Sequence, residues 1–85
     1  MEVWVAEHAY KHGLSEEQIR YAWDNFIKKA YRGKPNEGEV MCVGFDRNGA
    51  MIQLVAVERS FGFLVYHAMT PPARNALKEL GLLKG

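Results

Sequence analysis

Three apolar runs separated by two tight turns constrain this chain more than any other feature. "EVMCVGF" is followed by "DRNG", "AMIQLVAVE" by "RSFG", and "FGFLVYHAM" completes the series. Valine, isoleucine and aromatic residues suit a pleated backbone, and clusters of Gly, Asn, Asp and Ser mark turns. In "DRNG" the pair Asn48-Gly49 is suited to positive φ, as two-residue hairpin turns require. Strands joined this closely pair antiparallel, so the expectation is a three-stranded antiparallel meander. The runs carry few polar side chains, so the middle strand is expected to be covered on much of both faces.

The covering elements come from the remaining sequence. "EVWVA" predicts a short first strand over residues 2–5, and "EHAYKHG" a short helix stopped by Gly13. "LSEEQIRYAWDNFIKKAYRG" gives the strongest helical signal. Ser15 and Gln18 have capping-box spacing, and Glu16 and Glu17 favour the positive helix end. Ile19, Ala22, Trp23, Phe26, Ile27 and Ala30 recur at steps of three and four, which predicts one apolar face over about four turns. Lys28, Lys29 and Arg32 suit the opposite pole, and Gly33 and Pro35 stop the helix. "GKPNEGE" reads as the loop into the sheet.

"LVYHAMTPPAR" begins as a strand and ends as a helix start. Thr70 is the expected N-cap, with Pro71 at the first helical position. Ala73, Ala76, Leu77 and Leu80 form the expected buried stripe, and Gly81 with Leu82 a Schellman ending. The order is strand, two helices, three strands, helix. That is an α+β domain over residues 1–85: a meander plus a short N-terminal strand, packed against helices.

Totals narrow the function classes. A chain of 85 residues buries about 60 to 65% of its unfolded surface, enough for one core. Its 48% hydrophobic and 25% charged residues exclude a wholly disordered chain. The lone cysteine, Cys42, allows no internal disulfide and suits a reducing cytoplasm. The opening "MEVWVAEHAYKHG" lacks a basic segment followed by an apolar run, so no signal peptide is expected. No apolar stretch approaches the roughly 20 residues of a membrane span. With a net charge of +1, any nucleic-acid surface must come from uneven charge placement.

Two constellations carry chemistry. His8 and His12 are four apart, which on an α-helix places both on one face; with His67 they offer three nitrogen ligands for zinc. The second set is Lys11, His12, Arg59, Tyr66, His67 and Arg74, with Glu58 as a further base. Metal-free RNA cleavage needs a base for the 2′-hydroxyl proton, an acid for the leaving oxygen, and cations for the phosphate. Each residue also has a plain structural role: Arg59 as a turn-side charge, Tyr66 as core with a wet tip, Arg74 as a solvated helix residue. Alternation places His67 with Phe63, Val65 and Met69, opposite Leu64 and Tyr66. Trp4, Trp23, Phe61 and Phe63 are able to stack bases, with Trp23 better read as core and Phe61 as exposed. Cys42 reads as a small core hydrophobe.

"KHGLSEEQIRYAW", "VMCVGFDRNGAMIQLVAVE" and "LVYHAMTPPAR" together resemble the BrnT-like toxins, small RelE-superfamily proteins of bacterial type II toxin–antitoxin systems. The likeness runs from about His8 to Arg74. Lys11-His12-Gly13 stands at the family's lysine-histidine-glycine, and His67-Ala68-Met69 and Arg74 at the last strand and the start of the last helix. Thr70 and Pro71 stand where the family often carries arginine. The resemblance implies a RelE-like fold, ribonuclease activity on mRNA without metal or other cofactor, and a cognate antitoxin as partner.

On that reading Lys11, Arg59 and Arg74 hold phosphate, with Arg32 and Phe61 contributing to substrate binding. His67 or His12 moves the proton, and Tyr66 or Glu58 assists. Two other readings stand beside it: a non-catalytic protein-binding module of the same fold, and a small metal-binding domain.

Overall fold

In the computed structural model, which describes residues 2–83, the chain begins with β1 (Glu2–Val5), a 3-10 helix (Glu7–His12) and α1 (Glu16–Asp24). It continues through β2 (Phe26–Tyr31), β3 (Glu39–Phe45), β4 (Met51–Arg59), β5 (Gly62–Met69) and α2 (Arg74–Glu79). The fold is α+β, built on one five-stranded mixed sheet in the order β1-β5-β4-β3-β2. β1 is parallel to β5, and every other neighbouring pair is antiparallel.

The long expected helix is two elements. α1 starts as its sequence dictates: Ser15 Oγ accepts from the Gln18 amide and Gln18 Oε1 from the Ser15 amide. It ends at Asn25, whose amide and side chain both donate to the Tyr21 carbonyl. Phe26, Ile27 and Ala30, expected on the helix stripe, lie in β2 instead. Pairing with β3 gives that strand's second ladder of backbone bonds, and Phe26, Ile27 and Tyr31 suit a strand, so tertiary pairing overrides the helical spacing. Lys29 fastens the junction: its Nζ donates to the Trp23 carbonyl at 3.2 Å and lies 3.7 Å from the centre of the Trp23 ring.

The sheet is covered on both sides, and β4 is buried through its middle, as its apolar run implies. On one face Ala9, Leu14, Ile19, Ala22 and Trp23 pack on Val40, Cys42, Ile52, Leu54, Ala56, Val65 and Ala68. Gly44 lets α1 approach: a Cβ there would meet the Ala22 carbonyl oxygen at 2.1 Å. On the other face Ala76 of α2 and Leu80, just after it, pack on Met41, Val43 and Val55.

Two turns differ from expectation. Only Gly49 takes positive φ (85°) in the first hairpin, whereas Asn48 does not. Asp46 Oδ1 accepts from the amides of Asn48 and Ala50 and shapes the loop without a second left-handed residue. At α2 the N-cap is Ala73, not Thr70. Pro71 precedes another proline, which disfavours helical backbone there. The Thr70 hydroxyl donates to the Met51 carbonyl instead, and the Ala73 amide donates to buried Gln53. The Schellman ending does form: Leu82 N–H donates to Leu77 and Gly81 N–H to Lys78.

Candidate functional site

The last strand is bulged. Val55 faces His67 while Ala56 faces Val65, so Tyr66 is an extra residue and the strand's alternation shifts. His67 is therefore not on the face of Phe63 and Val65. With Tyr66 it lines an open concavity beneath α2, bordered by Arg32, Gln53, Val55, Asn75 and Glu79.

The 3-10 helix meets His67 from the other direction. β1 pairs β5 only as far as Val65, and the chain then turns along β5 into this helix. With three residues per turn, residues i and i+3 eclipse. His8 therefore lies above Lys11, and His12 above fully buried Ala9, which faces the core. His8 and His12 do not share the face that an α-helix would give them. His12 instead reaches His67: their rings meet edge to face, 82° apart, with centroids 5.5 Å apart. Among the described residues no three His, Cys, Asp or Glu side chains converge as a metal site would require.

His67 is half-buried, and its pKa lies below the ordinary imidazole value. Desolvation is the main cause, followed by the positive charges of His12, His8 and Lys11. The imidazole is thus neutral at neutral pH, beside His12, His8 and Lys11. The two segments "KHG" and "HAM" do meet in space.

The rest of the concavity is an ordered polar chain. Glu79 pairs with Arg32 through two bonds, at 2.7 and 3.1 Å, and Arg32 Nη1 donates to Glu39 at 2.8 Å. Tyr66 Oη donates to the other Glu39 oxygen at 2.6 Å. Burial, then Glu39, pushes the Tyr66 pKa up to about 12, so the phenol stays protonated. Arg32, expected to bind substrate, is held between two carboxylates. Nothing in the sequence pairs Glu39 or Glu79 with Arg32, because the three meet only through sheet pairing and the packing of α2.

The other expected site residues lie elsewhere. Arg59 ends β4 opposite Gly62, roughly 15 Å along the sheet from His67. Glu58 accepts from the Tyr31 hydroxyl on the opposite face. Phe61 is exposed at the β4–β5 turn, in contact with Trp4. Arg74 opens α2 and is exposed between Ala73 and Asn75, which line the concavity. Cys42 is fully buried, and burial pushes its thiol up to about 12, as befits a core residue. Among the described residues no helix is long and apolar enough to cross a membrane. No known family model, curated protein or solved structure matches this chain.

Proposed function

We propose that the chain is a metal-independent endoribonuclease of the BrnT-like toxin kind, with a RelE-like fold, acting in the cytoplasm and restrained by a cognate antitoxin. The observation that carries this reading is the contact between His12 and His67, 55 residues apart in sequence (67 − 12) and edge to face in space. Burial, and then His12, disfavour a proton on His67. One neutral and one protonated ring form the pair that RNA transphosphorylation needs.

Desolvated His67 is the base. It takes the 2′-hydroxyl proton as the 2′-oxygen attacks the adjacent phosphorus. The bond from phosphorus to the 5′-oxygen breaks, and His12 gives that oxygen a proton. The products are a 2′,3′-cyclic phosphate and a 5′-hydroxyl, with no oxidant, metal or cofactor consumed. Lys11, on the same short helix as His12, offers its ammonium to the charge that builds on phosphate.

The test is cleavage of single-stranded RNA by the purified chain in a chelator. His67→Ala and His12→Ala are each expected to lower the rate by ~10²-fold or more, and Lys11→Ala by less. Rates unchanged in both histidine variants, or no cleavage by folded wild-type protein, reject the proposal.

A second reading follows from Arg32. With that guanidinium neutralised by Glu39 and Glu79, the concavity beneath α2 is better suited to a protein partner than to phosphate. A salt series separates the two, since RNA binding weakens steeply with salt and an apolar protein contact does not.

A further inference from the structure

The sheet face that carries the Tyr66–His67 bulge is only partly covered by α2. Beyond α2, register aligns Trp4 with Leu64, Leu64 with Val57, and Val57 with Glu39. Val3, Val5 and Phe63 turn to the opposite, helix-covered core. By alternation Trp4, Leu64, Val57 and Arg59 therefore share the face of the bulge.

Two aromatic rings stand at the end of this open strip. Trp4 is 55% exposed and Phe61 41% exposed, with ring centroids 5.6 Å apart. The Trp4 indole N–H donates to Glu2 at 2.7 Å, which fixes the ring without covering its face. Arg59 makes no ion pair among the described residues, and its Nη1 donates to the Glu58 carbonyl at 3.2 Å.

We infer that Trp4 and Phe61 are a stacking platform for an unpaired base of single-stranded RNA, with Arg59 holding the neighbouring phosphate. This deepens the ribonuclease reading and rests on it for the class of ligand. Every base has a π-face, so such a platform binds without sequence preference, and a nearby cation supplies the attraction for the backbone. Leu64 and His67 are three positions apart on β5, roughly 10 Å. A strand gripped at Trp4 thus runs along β5, past Leu64 and Tyr66, towards the imidazoles.

The probe is a short single-stranded 2′-O-methyl RNA, which has no free 2′-hydroxyl to attack phosphorus. It carries a terminal dye whose anisotropy gives the affinity of every variant, and it is titrated into the full chain while tryptophan emission is also followed. Trp23 is buried, so a change on binding reports Trp4. The oligonucleotide is expected to quench emission, and Trp4→Ala and Phe61→Ala each to weaken binding ~10-fold. Trp4→Phe should keep most of the affinity and lose the quenching. Circular dichroism confirms that each variant is folded.

Equal affinity in both alanine variants, binding without quenching, or no binding overturns the platform. Binding and quenching without any cleavage of native RNA leave the platform standing and reject the ribonuclease reading. Cleavage by wild type with KM unchanged in Trp4→Ala and Phe61→Ala does the reverse.

Discussion

His67 shows how one inserted residue changes the reading of a side chain. Strict alternation groups it with Phe63 and Val65, but the bulge at Tyr66 moves it to the other face, and no residue type in "LVYHAM" announces a bulge. That burial holds it neutral has a measurable consequence. The folded chain holds its imidazole proton less tightly than the unfolded chain does, so the unfolded state binds more protons around and below the ordinary value near 6.5. The stabilisation is complete above that value and is lost as pH falls through the lower folded pKa. The melting temperature should therefore drop as pH falls below about 6.5, and His67→Gln should flatten that part of the profile. Asp46 acts in a separate, more acidic window. Bonds from Ala50, Gln18 and the turn amides hold its carboxyl below the usual range, so its contribution disappears only in acid. At Gly44 the approach of α1 leaves no room for a methyl group, and Gly44→Ala should cost roughly 2 kcal/mol or more in urea unfolding.

At the scale of elements, legibility tracked how local the deciding interaction is. The capping box of α1, the Schellman ending of α2 and the hairpin order β3, β4, β5 depend on neighbours a few residues away, and the sequence shows them. The boundary between α1 and β2 depends on a partner strand, so the apolar spacing of Phe26, Ile27 and Ala30 was read at the helical period. The Arg32–Glu39–Glu79–Tyr66 chain was illegible for the same reason. α2, at six residues, is too short to persist alone and relies on Ala76, Leu80 and the Arg32–Glu79 pair. Arg32→Met should destabilise the protein by about 1–2 kcal/mol and speed amide exchange in α2 more than in β4. Equal exchange in both elements would show that the pair does not hold the helix.

Across the whole molecule the net charge is +1 with the histidines neutral. Lys11 stands with His8, His12 and His67 where the 3-10 helix borders β5, while Glu16, Glu17 and Asp24 lie on α1. Arg20, Arg32 and Arg47 are each paired with a carboxylate, so these three are not free to hold a phosphate backbone. If Lys11 and Arg59 supply about two phosphate contacts, single-strand binding should fall with log salt at a slope near roughly −1.4. A slope several times steeper would mean that a wider basic surface exists than these residues provide.

The parallel seating of β1 against β5 also sets an order of events during synthesis. β1 has its partner in β5, about 60 residues further along the chain, and His12 must wait for His67. A growing chain that has not yet released β5 owns neither the imidazole pair nor the edge to which its own beginning docks. Whatever chemistry this pair performs starts only once β5 is made and free to close upon β1.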